Sequence, residues 1–137
     1  MRELESLFAA LAKSKFRSQF QLQGQDLQYL RDKGLPVILD HARDFIGKRL
    51  APAVIGNDGK QTPFRGHPVF VGQHATACCC RECLQKWHGI ATGRELTAEE
   101  QDYLINVLAH WLVLEIDRSG SGKQSDKLPQ QMMLPGF

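Results

Sequence analysis

Apolar residues recur with helical spacing at the amino end of the chain. Leu4, Leu7, Phe8 and Leu11 follow one another at positions i, i+3, i+4 and i+7. This spacing places the four side chains on one face of an α-helix, with the intervening polar residues on the other. The pattern therefore predicts an amphipathic first helix.

Two further helices are predicted before the middle of the chain. One runs from Gln25 to Lys33 and ends at Gly34, because glycine commonly follows the last helical residue. Pro36 is tolerated in the first turn of the next helix, and Pro52 ends it. The apolar face of that helix consists of Ile38, Leu39, Ala42, Phe45, Ile46 and Leu50.

A long central loop is predicted from Ala51 to Gly66, a segment rich in glycine and proline. Its Asn57-Asp58-Gly59 run favours a tight turn. One short hairpin around this turn is an alternative, although the flanks lack clean alternation of polar and apolar residues. Loops of this length in small domains are commonly functional.

The clearest helix signal begins at Thr97, which forms a capping-box pattern with Glu100. The run Ser119-Gly120-Ser121-Gly122 ends this helix and begins a flexible tail. Its buried face consists of Leu104, Ile105, Leu108, Trp111, Leu112 and Ile116. The predicted fold is mainly α, a compact single-domain helical fold over residues 1–118 with a tail over residues 119–137.

Composition narrows the classes of function. The 137 residues carry 17 Lys and Arg against 15 Asp and Glu, a formal charge of +2. This near balance does not indicate strong attraction of the whole surface to nucleic acid or anionic membranes. Because no apolar run approaches the roughly 20 residues that span a bilayer, and the amino end lacks a secretory signal, we expect a cytoplasmic protein without membrane association.

Residues 67–88 contain three of the five histidines and all four cysteines. Zinc prefers thiolate and imidazole ligands in a tetrahedron, and Cys80-x-x-Cys83 has a common ligand spacing. The predicted zinc ligands are His74, Cys80, Cys83 and His88, with His67 as an alternative fourth ligand. A closed shell of four would be structural, whereas three ligands and an open position would permit hydrolysis, with Asp58 or Glu82 as candidate general base.

Two other interpretations of the same stretch remain open. A helix from Ala77 to Trp87, capped by Thr76, would align Cys80, Cys83, Leu84 and Trp87 on one face as an ordinary core stripe. Such a helix would also place Cys78 and Cys79 in its first turn, where the helix dipole favours thiolate. A thiol-dependent enzyme using Cys79 or Cys80 is therefore an alternative, and His74 is the candidate base for Cys79 or Cys78.

A metal-free binding module is the remaining alternative. Lys60 and Arg65 lie in the polar part of the central loop, and arginine binds phosphate or carboxylate in bidentate fashion. We expect an anionic ligand or nucleic acid to be their partner, with Arg81 as a further cation. The candidate ligand-binding residues are Lys60, Arg65, His67 and Cys79.

Several of these segments together resemble a bacterial family catalogued as domain of unknown function 4186. The resemblance extends from Leu4 to about Leu114 and implies a common fold, but no established activity, cofactor or partner. This sequence departs from the family pattern at Cys78, where the resemblance implies threonine or another small residue. The matching segments are Ser14-Lys15-Phe16-Arg17, Asn57 to Pro63, Arg65 to Phe70, Gln73 to Thr76, Cys79 to Arg81, Cys83-Leu84, Lys86 to Ile90 and Gly93 to Thr97.

Overall fold

The computed structural model describes residues 1–121, which contain seven α-helices and no β-strand. The prediction of a mainly α fold is therefore confirmed. No helix in this part of the chain is long and apolar enough to cross a membrane. The helices are α1 (Leu4–Lys13), α2 (Lys15–Ser18), α3 (Gly24–Lys33), α4 (Leu35–Arg49), α5 (Pro68–Ala75), α6 (Arg81–His88) and α7 (Ala98–Ser121).

The core forms mainly where α4 packs against α7. Each helix contributes a row of side chains at i, i+4 and i+8, the positions that share one helix face. Removing these side chains from water is the main source of stability. The fully buried residues of the two rows are Ile38, Ala42 and Ile46 on α4, and Leu104, Leu108 and Leu112 on α7.

Local signals set two helix ends as predicted. Gly34 joins α3 to α4 with a φ of 85°, a conformation that favours glycine. At the start of α7, Thr97 Oγ1 accepts the Glu100 backbone N–H, and the Glu100 carboxylate accepts the Thr97 N–H, both at 3.0 Å. The capping box is therefore confirmed. Helix α7 includes residues 119–121, with which the predicted tail begins, and the rest of the predicted tail, residues 122–137, lies outside the described residues.

The segment from residue 68 to residue 88 differs from the prediction. Seven of the eight residues of α5 are buried, so this helix has no polar face and no periodicity to reveal it. Ala77 then has a φ of 61°, which helical residues do not adopt. The single helix predicted from Ala77 to Trp87 is therefore wrong at its start, because α6 begins only at Arg81.

Helix α5 approaches α7 closely at Gly72. A Cβ at this position would lie 3.0 Å from Cε3 of Trp111 and 3.3 Å from Cδ2 of Leu108. Only a residue without a side chain permits this distance between the helices. The contact fixes α5, and with it the turn that follows, against the core.

The central loop between α4 and α5 contains the predicted tight turn, closed by a 2.9 Å hydrogen bond from the Lys60 N–H to the Asn57 carbonyl. Its flanks do not pair as strands within residues 1–121, so the hairpin alternative is wrong. The start of the loop is held instead by the Leu96 N–H, which donates to the Ala51 carbonyl at 2.9 Å.

Candidate metal centre

Three consecutive cysteines lie in the tight turn between α5 and α6. The Cys78 N–H donates to the Gln73 carbonyl at 2.7 Å, and Gln73 Nε2 donates to the Cys78 carbonyl at 3.0 Å. Cys80 is the N-cap residue of α6, so Cys83 is its third helical residue. An N-cap residue and the residue three positions later face one another at a helix start, which brings the Cys80 and Cys83 thiols together.

The sulfur atoms of Cys79, Cys80 and Cys83 all lie within 4.8 Å of one another. Cys79 and Cys80 are buried, whereas Cys83 is half-buried and reaches the surface. Cys78 has a separate environment, with its Sγ 3.7 Å from His88 Nε2. Because this thiol is fully buried, its pKa is raised to about 12. We call Cys79, Cys80 and Cys83 the thiol cluster.

Arg17 of α2 brings positive charge to the thiol cluster. Its Nη1 donates to the His74 carbonyl at 2.7 Å and to Cys79 Sγ at 3.6 Å, while Nη2 donates to Cys83 Sγ at 3.2 Å. The Arg17 residue is 8% exposed, so water screens this charge only weakly. A buried guanidinium beside sulfur favours the thiolate form.

The three thiols of the cluster differ in acidity. A hydrogen bond from the Cys83 thiol, followed by one from Arg17, lowers the pKa of Cys79 against the opposing effect of burial. The same contact with Cys79, together with burial, raises the pKa of Cys83. Burial also raises the pKa of Cys80. Cys79 is therefore the first of the three to lose its proton.

The central loop is fastened over the cysteine turn. Thr62 Oγ1 donates to the Cys79 carbonyl at 2.8 Å. Asp58 Oδ1 accepts the backbone N–H of Arg81 at 3.1 Å and the side-chain amide of Gln61 at 2.9 Å. Asp58, considered above as a general base, thus satisfies a free N–H group at the start of α6.

The Arg81 side chain is committed to the fold rather than to a ligand. It is 3% exposed. Nη1 donates to the carbonyls of Leu50 at 3.3 Å and Pro52 at 3.1 Å, and Nη2 donates to that of Ala91 at 2.7 Å. The guanidinium therefore ties the start of α6 to the two loops beside it, whereas Lys60 and Arg65, the other two cations predicted to receive an anionic ligand, are exposed.

His74 faces the central loop and not the thiol cluster. Its Nε2 lies 3.0 Å from the Thr62 carbonyl. Its ring stacks on Phe64 with a centroid distance of 4.1 Å and an interplanar angle of 12°. Burial lowers the pKa of His74, so the imidazole is neutral at neutral pH and donates to the carbonyl.

His88 also has partners outside the thiol cluster. Its Nδ1 lies 2.7 Å from the Tyr103 hydroxyl, and its Nε2 lies 2.9 Å from the Thr76 carbonyl. Burial lowers its pKa to about 4. Of the predicted zinc ligands His74, Cys80, Cys83 and His88, the structure brings Cys80 and Cys83 together, adds Cys79, and leaves both histidines outside the group.

The predicted ligand-binding residues have unlike environments. Lys60 and Arg65 are exposed, and their side chains make no hydrogen bond or ion pair with residues 1–121. His67 is half-buried, its Nε2 lies 3.0 Å from His41 Nδ1, and its Nδ1 accepts an N–H in the first turn of α5. Burial, followed by the effect of His41, lowers the pKa of His67 to about 4. Cys79 belongs to the thiol cluster.

Arg17 is the site residue that sequence reasoning did not place. It is separated by 62 residues from Cys79 and by 66 from Cys83, so no local spacing could connect them. Its one signal was its position in Ser14-Lys15-Phe16-Arg17, a run that contributes to the family resemblance. The hydrogen bond from Arg17 to the His74 carbonyl, 57 residues away along the chain, likewise forms only because α2 packs beside α5.

Comparison with known proteins supports the resemblance found in the sequence. No solved structure matches the chain. The family described as domain of unknown function (DUF4186) matches residues 5–113, a span that includes the thiol cluster, Arg17 and the central loop. The chain therefore belongs to the DUF4186 family.

Proposed function

We propose that this protein binds a zinc ion through Cys79, Cys80 and Cys83. The observation that carries the proposal is the approach of these three sulfur atoms to within 4.8 Å of one another. Zn–S bonds of 2.3 Å in a tetrahedron require sulfurs about 3.8 Å apart. Side-chain adjustments of about 1 Å or less would meet this requirement, with no change in the course of the backbone.

Charge balance supports the same proposal. Three thiolates and one Zn²⁺ carry a net charge of −1, which is costly in a buried site unless it is compensated. Arg17 already donates N–H groups to two of the three sulfurs. Hydrogen bonds of this kind to ligating atoms orient the ligands and tune the metal. Arg17 would therefore neutralise the occupied site without moving.

The acidity of the thiols predicts how the metal would bind. Zinc needs deprotonated sulfur, so binding releases protons. Cys79 has a lowered pKa, whereas Cys80 and Cys83 have raised ones. Zinc binding would thus begin at Cys79, and its affinity would rise steeply with pH because the other two thiols must still release their protons.

A site with three protein ligands has an open fourth position. Structural zinc sites are almost always closed by four protein ligands, whereas catalytic sites use three and admit water or substrate. The half-buried Cys83, the thiol of the cluster nearest to solvent, supports access to that position from solvent. The proposed site is therefore functional, with the metal as a Lewis acid.

The experiment is a measurement of zinc content by plasma mass spectrometry on untagged protein purified without added metal. We expect about one zinc per chain, and its loss in Cys79→Ser, Cys80→Ser and Cys83→Ser. Cys78→Ala is the matched control, because Cys78 lies outside the thiol cluster and its variant should retain zinc. Metal-free protein with four titratable thiols, even after incubation with zinc, would reject the proposal.

Dithiol exchange is a second candidate, favoured by the unequal acidity of Cys79 and Cys83. The Cys79 thiolate would attack a substrate disulfide and release one thiol. The Cys83 thiol would then attack Cys79 sulfur, release the second thiol and leave a Cys79–Cys83 disulfide. A metal-free protein whose Cys79 is alkylated fastest of the four at neutral pH, and which reduces a small disulfide, would favour this chemistry over zinc.

A further inference from the structure

An open cleft of about 730 Å³ lies between the segment after α2 and the end of the central loop. Its volume falls in the range of small-molecule sites. Its lining includes Phe16 and Phe20, Phe64 and Arg65 of the central loop, Asp26 of α3 and Val71 of α5. No residue of the thiol cluster lines this cleft. The chemistry of the cleft is therefore separate from that of the proposed zinc site.

The cleft presents two aromatic side chains that are about half exposed. Phe64 is 59% exposed and Phe16 is 48% exposed. One face of the Phe64 ring stacks on buried His74 at 4.1 Å, and the Phe20 ring lies nearly parallel to it with a centroid distance of 6.3 Å. Phe64 is thus held in a fixed orientation while more than half of it stays exposed, an arrangement that suits stacking of a planar ring.

The polar side chains of the cleft are those of four glutamines, Arg65 and Asp26, whose carboxylate is half-buried. Gln19, Gln21, Gln23 and Gln25 line it, are exposed, and make no side-chain hydrogen bonds with residues 1–121. Each amide offers both a donor and an acceptor, as the edge of a nucleobase does. Arg65, equally uncommitted, offers the planar fork that binds phosphate.

We propose that this cleft binds a nucleotide, with the base stacked on Phe64, the base edge hydrogen-bonded by the glutamines and the phosphate held by Arg65. Exposed aromatic surface, glutamine amides and the Arg65 cation match the three parts of a nucleotide. An entirely apolar ligand would leave the amides and Arg65 without partners. The nucleotide comes either free or as part of a single strand.

The test measures binding of adenosine 5′-monophosphate, adenosine and an oligoadenylate of about ten nucleotides by titration calorimetry on the full chain. We expect Phe64→Ala to weaken nucleotide binding about fivefold or more, because the stacking contact is lost. Phe64→Tyr keeps the ring and should bind like the original protein. Arg65→Gln should weaken binding of the monophosphate but not of adenosine, which has no phosphate.

Val54→Ala is the matched control, since Val54 is an exposed apolar residue of the same loop, 87% exposed, and lies outside the cleft. It should leave all affinities unchanged. Binding of the monophosphate assigns the site to free nucleotides, and binding of the strand alone assigns it to single-stranded nucleic acid. Absence of saturable binding of both the monophosphate and the oligoadenylate, or equal weakening by Phe64→Ala and Val54→Ala, overturns the proposal.

Discussion

Lowering the pH from about 7.5 to about 4 brings His88 into the range where an ordinary histidine takes up a proton. In the folded protein this imidazole is 0% exposed and lies between the Thr76 carbonyl and the Tyr103 hydroxyl. Burial lowers its folded pKa to about 4 from the ordinary value of 6.5. The unfolded chain therefore binds the proton at a higher pH than the folded protein does.

The direction and size of the effect follow from this difference. Stability is fully present above pH 6.5, falls as the unfolded chain takes up the proton, and levels off below the folded pKa of about 4. A difference of this size corresponds to about 3 kcal/mol lost from the free energy of unfolding at pH 4, of which about 2 kcal/mol is lost already at pH 5.

His88→Gln isolates this contribution. The glutamine amide can still donate to the Thr76 carbonyl but does not titrate, and the lost contact with Tyr103 should cost about 1 kcal/mol at neutral pH. The variant should therefore be less stable than the original protein at pH 7.5 and more stable by about 2 kcal/mol at pH 4. Because other groups titrate equally in both proteins, the difference between the two curves reports His88 alone.

The assay is urea unfolding at four or five pH values, with a chelator present so that both proteins are metal-free. The midpoint and slope give the free energy of unfolding at each pH. Two parallel curves between pH 7.5 and 4 would refute the reasoning, because they would mean that folding does not alter the proton affinity of His88.

Three other variants test separate parts of the structure. Gly72→Ala should lower the free energy of unfolding by about 1–3 kcal/mol, because its methyl group would press against the tryptophan ring of α7. The control Gly56→Ala, with nothing within 4 Å of its Cβ, should change the free energy of unfolding by about 0.5 kcal/mol or less. Equal effects of the two variants would contradict the close approach of α5 to α7. Thr97→Ala should cost about 1 kcal/mol through loss of the capping box, measured as a lower thermal midpoint, and an unchanged midpoint would show that the cap does not contribute. Arg17→Met should raise the pKa of Cys79, although the hydrogen bond from Cys83 remains, so the pH profile of Cys79 alkylation by iodoacetamide should move to higher pH. An unmoved profile would show that Arg17 does not contribute to the acidity of Cys79.

Helices with one buried and one exposed face could be predicted from sequence. The amphipathic pattern from Leu4 to Leu11 corresponds to α1, and the rows on α4 and α7 are buried as expected. Helix α5 could not be found in this way, because burial on nearly all sides removes the periodicity on which such prediction depends. The positive φ of Ala77, which non-glycine residues rarely adopt, has no local sequence signal, and α6 begins four residues after it.

The site could be predicted only in part, for a related reason. Cys80 and Cys83 are three residues apart, a spacing that any helix start brings together, so their proximity could be predicted from the sequence. Cys79 joins them because of the turn after α5, and Arg17 because of long-range packing. Histidines could be recognised as metal-ligating residues by type, but type does not show that His88 would bond to Tyr103.

The way in which the central loop is fastened also bears on how its length can vary among relatives. Its contacts with the cysteine turn come from Asp58 and Thr62, whereas Ala53 and Val54 are exposed. Extra residues beside Val54 would lengthen solvent-exposed chain, at an entropic cost that grows slowly with length. Extra residues between Asp58 and Thr62 would shift the groups that hold Cys79 and α6. Insertions and deletions in evolution should therefore be concentrated before Asp58.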